Sequence, residues 1–292
     1  MRKAVAGQSG LKSDDHYELV KALEKKALGF RRDILEMTYA AGSGHPGGSL
    51  SAIDIITVLY LHAMRIDSKN PHWPDRDRFV LSKGHCVPAL YAVLADLGFF
   101  PREELLRLRK LGCMLQGHPD MVMTPGVEMS TGSLGQGLSV SCGMALAARL
   151  DAKDYRVYCM IGDGESQEGN IWAGAMLAAH KRLSNLTGIL DRNGLQIDGT
   201  TEHIMSLEPL SEKWRSFGWN VLEIDGHDIS QIISALELAK ETKDKPTMIV
   251  AKTVKGKGIS FMENQLAYHG RALTSEEMNR AREELSRRES GA

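Results

Sequence analysis

The 292 residues carry 36 lysines and arginines against 37 aspartates and glutamates, so no overall field draws the chain to nucleic acid or to an anionic membrane. A hydrophobic content of 42% and a charged content of 25% suit a soluble globular protein with a sizeable core, acting on small polar molecules. The four cysteines, Cys86, Cys113, Cys142 and Cys159, are far apart with no CxxC pair, which argues against a zinc site and against a disulfide scaffold.

In chain order, residues 1–14 are polar and glycine-containing and are expected to form a loose tail. They hold no apolar core for a secretion signal, and no later run approaches ~18 uninterrupted apolar residues, so the expected compartment is the cytoplasm. Helical spacing begins near Tyr17 with Leu23, Ala27, Phe30, Ile34 and Met37, and stops at the glycine-rich SGHPGG. A second helix is predicted from about Leu50 to Met64. Short β-type runs then alternate with helical ones: RFVLS (78–82), RVYCMI (156–161), LTGILD (186–191), WNVLEI (219–224) and TMIVAKT (247–253). This alternation predicts an α/β fold, a three-layer α/β/α arrangement with a mainly parallel sheet. PREELLRLRK, opened by Pro101, reads as a helix in an insertion. The charged segment after Thr274 reads as a docked or frayed terminal helix. With no repeat and no low-complexity linker, residues 15–292 are expected to form one domain.

The chemistry gathers between Gly162 and Gly199. The apolar run RVYCMI passes directly into Gly162-Asp163-Gly164-Glu165, and a helix follows with Trp172, Ala175, Met176, Ala179 and Leu183 on one face. After it comes TGIL and then Asp191-Arg192-Asn193-Gly194-Leu195. Two oxygen-bearing clusters thus leave the carboxyl ends of two strands, and if those strands are neighbours both clusters face one crevice. Ligands of open α/β sheets bind there, where helix amino termini favour anions. A diphosphate bridged by Mg²⁺ fits, because Mg²⁺ takes few oxygens from protein and the rest from phosphate and water. GDG alone would be only a tight turn and DRNG only a loop. Their order carries the weight: strand, GDG, helix, strand, then Asn193 thirty positions after Asp163.

That order resembles the fingerprint of thiamine-diphosphate enzymes, and the filling GDGESQEGNIW, AAHKRLSNL and DRNGLQIDG is similar to that of the transketolase family. Five further segments agree in order: SGHPGG around His45, LSKGH ending at His85, GHPD with His118, STGSLGQGLS from Ser130 to Ser139, and YHG with His269. The resemblance covers roughly residues 17 to 272 and implies the thiamine-diphosphate-binding fold. By resemblance, Asp163, Asn193 and the Leu195 carbonyl would hold Mg²⁺, or Ca²⁺ or Mn²⁺ in its place. Gly162, Gly164, His85 and Lys255 would lie near the diphosphate, and Gly132 and Leu134 by the aminopyrimidine. His45 and His269 would face the C3 hydroxyl of a ketose and His118 the C1 hydroxyl, while Glu168 matches a proton relay between subunits. Imidazole suits such a channel, since it donates or accepts protons near neutral pH without a permanent charge.

The implied reaction moves a two-carbon glycolaldehyde unit from a ketose phosphate to an aldose phosphate. In this family a glutamate of a second, pyrimidine-binding domain activates the cofactor, and a C-terminal domain follows it. Only twenty-three residues follow His269. The expectation is therefore a partner subunit that supplies both domains, in an α2β2 assembly, with this chain inactive alone. Lys83, Cys86 and Ala173 depart from the common family pattern; Lys83 is expected at the surface. Basic residues after Lys252 read equally as a solvated loop or as a phosphate-facing one, and the fourteen methionines as core filling. Rival readings are an α subunit of a 2-oxo acid dehydrogenase, a deoxyxylulose phosphate synthase relative, or a non-catalytic cofactor-binding subunit. GHPD, QEG and LQIDG speak against the first two, and the intact metal ligands and channel histidines against the third.

Overall fold

Strands buried on both faces must be apolar throughout, and the runs at 78–81, 157–162, 186–192, 247–252 and 220–225 lie side by side in that order as one parallel sheet, the last of them a partly exposed edge strand. The computed structural model describes residues 13–290. Its elements are α1 (Ser13–Ala41), α2 (Pro46–Val58), β1 (Arg78–Leu81), α3 (Val87–Asp96), α4 (Gln136–Leu150), β2 (Val157–Gly162), α5 (Gly169–His180) and β3 (Leu186–Arg192). There follow a short antiparallel pair, β4 (Leu195–Gln196) and β5 (Gly199–Thr200), then α6 (Thr201–Ile204), α7 (Leu210–Ser216), β6 (Asn220–Asp225), α8 (Ile229–Glu241), β7 (Thr247–Lys252) and α9 (Ser275–Ser290). Of the tail expected over residues 1–14, residues 1–12 lie outside the described residues, while Ser13 and Asp14 already belong to α1.

Side chains alternate across a strand, and this divides the core in two. Along β2, Tyr158 and Met160 join a core with residues of α1, α2, α3, α8 and α9, whereas Val157, Cys159 and Ile161 join another with residues of α4, α5 and α7. The three-layer α/β fold expected from the alternating runs is the observed one. All four cysteines are free and buried, and no described helix is long and apolar enough to cross a membrane.

Several local expectations are corrected. The second helix starts at Pro46, four residues before Leu50, because proline at the first helical turn brings a preset φ and needs no donor. It ends at Val58 in a single π-turn over Leu59–Ala63. Residues 102–107 form a 3-10 turn with only Leu105 buried, too short and too polar a segment to dock an α-helix. The buried face of α5 is Ile171, Gly174, Ala175 and Ala178, and Met176 is 61% exposed. Small residues win there because α5 approaches α4 closely: a Cβ on Gly174 would sit 3.3 Å from Leu138 Cγ. Met121, Met123 and Met205 are also exposed, so the methionines are not uniformly core. The terminal helix α9 is docked through buried Met278, Ala281 and Leu285.

Candidate active site

The register of β2 on β3 pairs Gly162 with Asp191, so the residues just beyond each strand, Asp163 and Asn193, come out together at the sheet's carboxyl edge. Ser82 to His85 leave β1 at the same edge, and Thr253 to Lys255 leave β7 there. One crevice of about 330 Å³ results. Its lining includes His45, His85, Gly132, Leu134, Gly162, Asp163, Gly164, Glu168, Asn193, Leu195, Lys255 and His269, which is every site residue proposed from the sequence except His118. His118 stands beside it, its ring centroid 6.4 Å from that of His45. His45 also lies 5.2 Å from His85 and 5.7 Å from His269, and His85 stacks on His269 at 5.3 Å. Four histidines from four separate segments thus meet in one wall.

Burial keeps these imidazoles neutral. It pushes His45 and His85 down to about 4 and His269 to about 3, with neighbouring cationic groups adding to the effect. His118 is lowered for the same reason. Lys255 Nζ donates to Leu195 O at 2.8 Å and lies 2.9 Å from His269 Nδ1. An ammonium has only protons to give, so Nδ1 accepts and the ring proton of His269 sits on Nε2. Lys255 is 3% exposed and lines the crevice, whereas Lys252 of the same basic run is exposed.

The oxygen donors form the floor. Asp163 Oδ1 accepts from Gly164 N at 2.8 Å, and Oδ2 accepts from Gly194 N at 2.5 Å and Arg192 Nη1 at 3.1 Å. Asn193 Oδ1 accepts one bond, from Leu195 N at 3.1 Å. Burial, with the nearby Asp191 carboxylate, pushes the Asp163 carboxyl above its ordinary value. The ion pair with Arg192 offsets this only in part, and a divalent cation would supply further positive charge. No group of three His, Cys, Asp or Glu side chains suited to a metal occurs among the described residues. One carboxylate, one amide and one carbonyl nevertheless fit a hard cation that completes its shell with phosphate and water.

Three buried polar groups escaped the sequence reading. Lys83, expected at the surface, is 2% exposed and ion-paired with Asp191, itself 0% exposed. Asp191 also accepts from Ser51 Oγ at 2.6 Å and from Thr253 Oγ1. Glu165 accepts from Gly135 N and Gly162 N at 2.9 Å each and from Ser82 Oγ, tying the loop before α4 to the ends of β1 and β2. That loop needs its glycine: Gly135 has φ 84°, and a Cβ there would fall 2.8 Å from Glu168 Cβ. The one available signal was position: Lys83 stands two residues beyond the apolar β1 and Asp191 lies inside β3 near its end, where neither side chain easily reaches solvent. Glu168 itself is exposed at the crevice edge.

The family model for the thiamine diphosphate binding domain of transketolase matches residues 26–290. The chain belongs to the transketolase family. It is 51% identical over 265 residues to the 6-deoxy-6-sulfo-D-fructose transketolase subunit SqwG of Clostridium sp., covering 91% of this chain and 96% of that protein. It is 44% identical over 269 residues to one subunit of the apulose-4-phosphate transketolase of Phocaeicola vulgatus, covering 92% and 95%. Human transketolase is 42% identical over 255 residues, which span 87% of this chain but 40% of that protein. The crystal structure of transketolase from Campylobacter jejuni superposes with a TM-score of 0.85 at 36% identity, over 91% of this chain and 43% of that one. The chain therefore corresponds in extent to separate transketolase subunits and to less than half of the single-chain enzymes.

Proposed function

We propose that this chain, as a single cofactor-binding domain over residues 15–292, is the N-terminal subunit of a two-chain transketolase. It transfers a glycolaldehyde unit from a ketose phosphate to an aldose phosphate. The observation that carries the reading is the meeting of four neutral histidines above a floor formed by Asp163, Asn193 and the Leu195 carbonyl. Thiamine diphosphate, when bound, supplies the electron sink for breaking the ketose C2–C3 bond. Asp163, Asn193 and Leu195 would hold Mg²⁺, with Ca²⁺ or Mn²⁺ able to replace it, and His85, Gly162, Gly164 and Lys255 would lie against the diphosphate. Gly132 and Leu134 would flank the aminopyrimidine.

The protein's own contribution is orientation and proton handling. His45 and His269 would hold the C3 hydroxyl and His118 the C1 hydroxyl. A neutral imidazole can take a hydroxyl proton and return it, and the Nε2 proton of His269 makes it a donor in the resting state. Leu134 and Ile197, 37% and 68% exposed, give the crevice an apolar rim. A partner subunit carrying the pyrimidine-binding and C-terminal domains would cover that rim, in an α2β2 assembly, with Glu168 relaying protons across the interface.

The test mixes this chain with a candidate partner, thiamine diphosphate, Mg²⁺ and ribose 5-phosphate as acceptor. Donors are xylulose 5-phosphate, fructose 6-phosphate and 6-deoxy-6-sulfofructose, the last chosen because the SqwG subunit is named for it. Ketol transfer only in the mixture is expected. Full turnover by this chain alone, or decarboxylation of a 2-oxo acid in place of ketol transfer, would overturn the reading.

A further inference from the structure

Behind the crevice, three side chains form a separate buried cluster: Arg31 on α1, Asp54 on α2, and His227 in the turn between β6 and α8. Arg31 and Asp54 are 7% and 5% exposed. Arg31 Nη1 and Nη2 donate to the two oxygens of Asp54 at 2.9 and 2.6 Å, and His227 Nδ1 lies 2.7 Å from Asp54 Oδ2. The other ring nitrogen settles the tautomer. His227 Nε2 accepts from Val254 N at 2.9 Å, so the proton is on Nδ1 and points at the carboxylate.

Two bonds leave this cluster for the same loop. His227 holds the Val254 amide, and Arg31 Nε donates to the Lys257 carbonyl at 3.1 Å. From the opposite side, Gly256 N donates to Gly47 O at 2.9 Å. Gly256 and Gly258 take φ of 81° and 96°, and a Cβ on Gly258 would come within 2.8 Å of Arg31 Nε, so the loop lies directly on the guanidinium. Between the two clamped groups sits Lys255, whose ammonium reaches Leu195 O and His269 Nδ1. A lysine has a long flexible stem, and clamping its backbone on both sides limits where the ammonium can go.

We propose that Arg31, Asp54 and His227 are positioning residues for the cofactor crevice, a buried bracket that fixes the 254–257 loop and so presents Lys255 to the Leu195 carbonyl and His269. The inference rests on the cofactor reading above. None of the three touches the crevice; they act through Lys255.

Two substitutions of His227 separate its contacts. His227→Gln keeps an acceptor where Nε2 lies and gives up the donor to Asp54, whereas His227→Asn keeps the donor and leaves nothing opposite the Val254 amide. Hydrogen exchange over 252–262 is measured on the full chain, and thiamine diphosphate affinity in Mg²⁺ by calorimetry on the chain assembled with its partner, with melting temperature as the control for folding. His227→Asn is expected to speed exchange in the loop and weaken thiamine diphosphate about 10-fold, as loss of groups supporting a metal site does. His227→Gln is expected to restore both to near the parent at a similar melting temperature. Identical behaviour of the two variants, or faster exchange without weaker binding in His227→Asn, would overturn the bracket. Failure of the parent assembly to bind thiamine diphosphate would instead overturn the cofactor reading, and the exchange comparison would still decide whether His227 holds the loop.

Discussion

Replacing Lys83 by methionine tests the electrostatics under the crevice most directly. The side chains of Lys83 and Asp191 are 2% and 0% exposed. Burial would lower the lysine and raise the aspartate, but mutual attraction, with the hydroxyls of Ser51 and Thr253, holds Lys83 above and Asp191 below its ordinary value. Lys83→Met fills much of the same volume and leaves the buried carboxylate with hydroxyl donors and no cation in contact. Removing one partner of such a pair costs about 3–5 kcal/mol, a large part of the roughly 5–15 kcal/mol that stabilises a folded protein. At roughly 2 °C or more per kcal/mol for a chain of this size, melting should fall by about 6 °C or more. Asp191→Asn alone should cost about as much, because it strands the ammonium. The double variant leaves neither charge uncompensated and should recover most of the loss. Thermal unfolding of the four proteins at pH 7, followed by circular dichroism, gives the coupling. Simple addition of the two single losses in the double variant would refute compensation between the two charges.

Two further outcomes follow from the site. Asp163→Ala removes the one carboxylate of the metal set and should weaken Mg²⁺-dependent thiamine diphosphate binding by about 100-fold or more, since even supporting groups are worth 10–100-fold; unchanged affinity by calorimetry would show the metal assignment to be wrong. His45 is depressed to about 4, chiefly by burial and then by His85 and His118. Below pH 6.5 the unfolded chain takes up a proton that folded His45 refuses, so its neutral state adds stability above that pH, and the advantage is lost as pH falls toward 4. His45→Gln should flatten the loss of melting temperature between pH 6.5 and 4, and an unchanged slope would remove His45 as its source.

The sheet and the crevice were legible because both obey local rules. Strands buried on both faces must be continuous apolar runs, and the residue after such a run stands at the sheet's carboxyl edge, so Asp163 and Asn193 could be placed without knowing the fold. Their adjacency needed one further fact, that β2 and β3 are neighbours, which alternation suggests but does not decide. The four histidines lie on segments far apart in sequence, and only the resemblance linked them. What stayed hidden was polar and buried. Lys83 looked like an ordinary surface lysine because its partner, Asp191, is more than a hundred positions away, and nothing local announces a pairing of that kind. The face of α5 was misjudged for a different reason: Gly174 faces α4, where closeness matters more than apolar area, and the larger Met176 is turned outward.

The charges also sort by depth, and this bears on what the site can accept. Asp191 with Lys83, and Asp163 with Arg192, hold formal charges in ion pairs on the floor, where a metal and a diphosphate would add further charge of both signs. The walls carry imidazoles driven neutral by the same burial. A neutral imidazole neither attracts nor repels a sugar by charge, yet, apart from the His269 Nδ1 that accepts from Lys255, each ring offers one donor and one acceptor to hydroxyl groups. Discrimination between a phosphate and a sulfonate at the far end of a ketose is therefore not expected from these histidines. It must come from groups beyond the rim at Leu134 and Ile197, which under the two-chain reading belong to the partner, so exchanging partners should change donor preference while leaving the cofactor affinity of this chain in place.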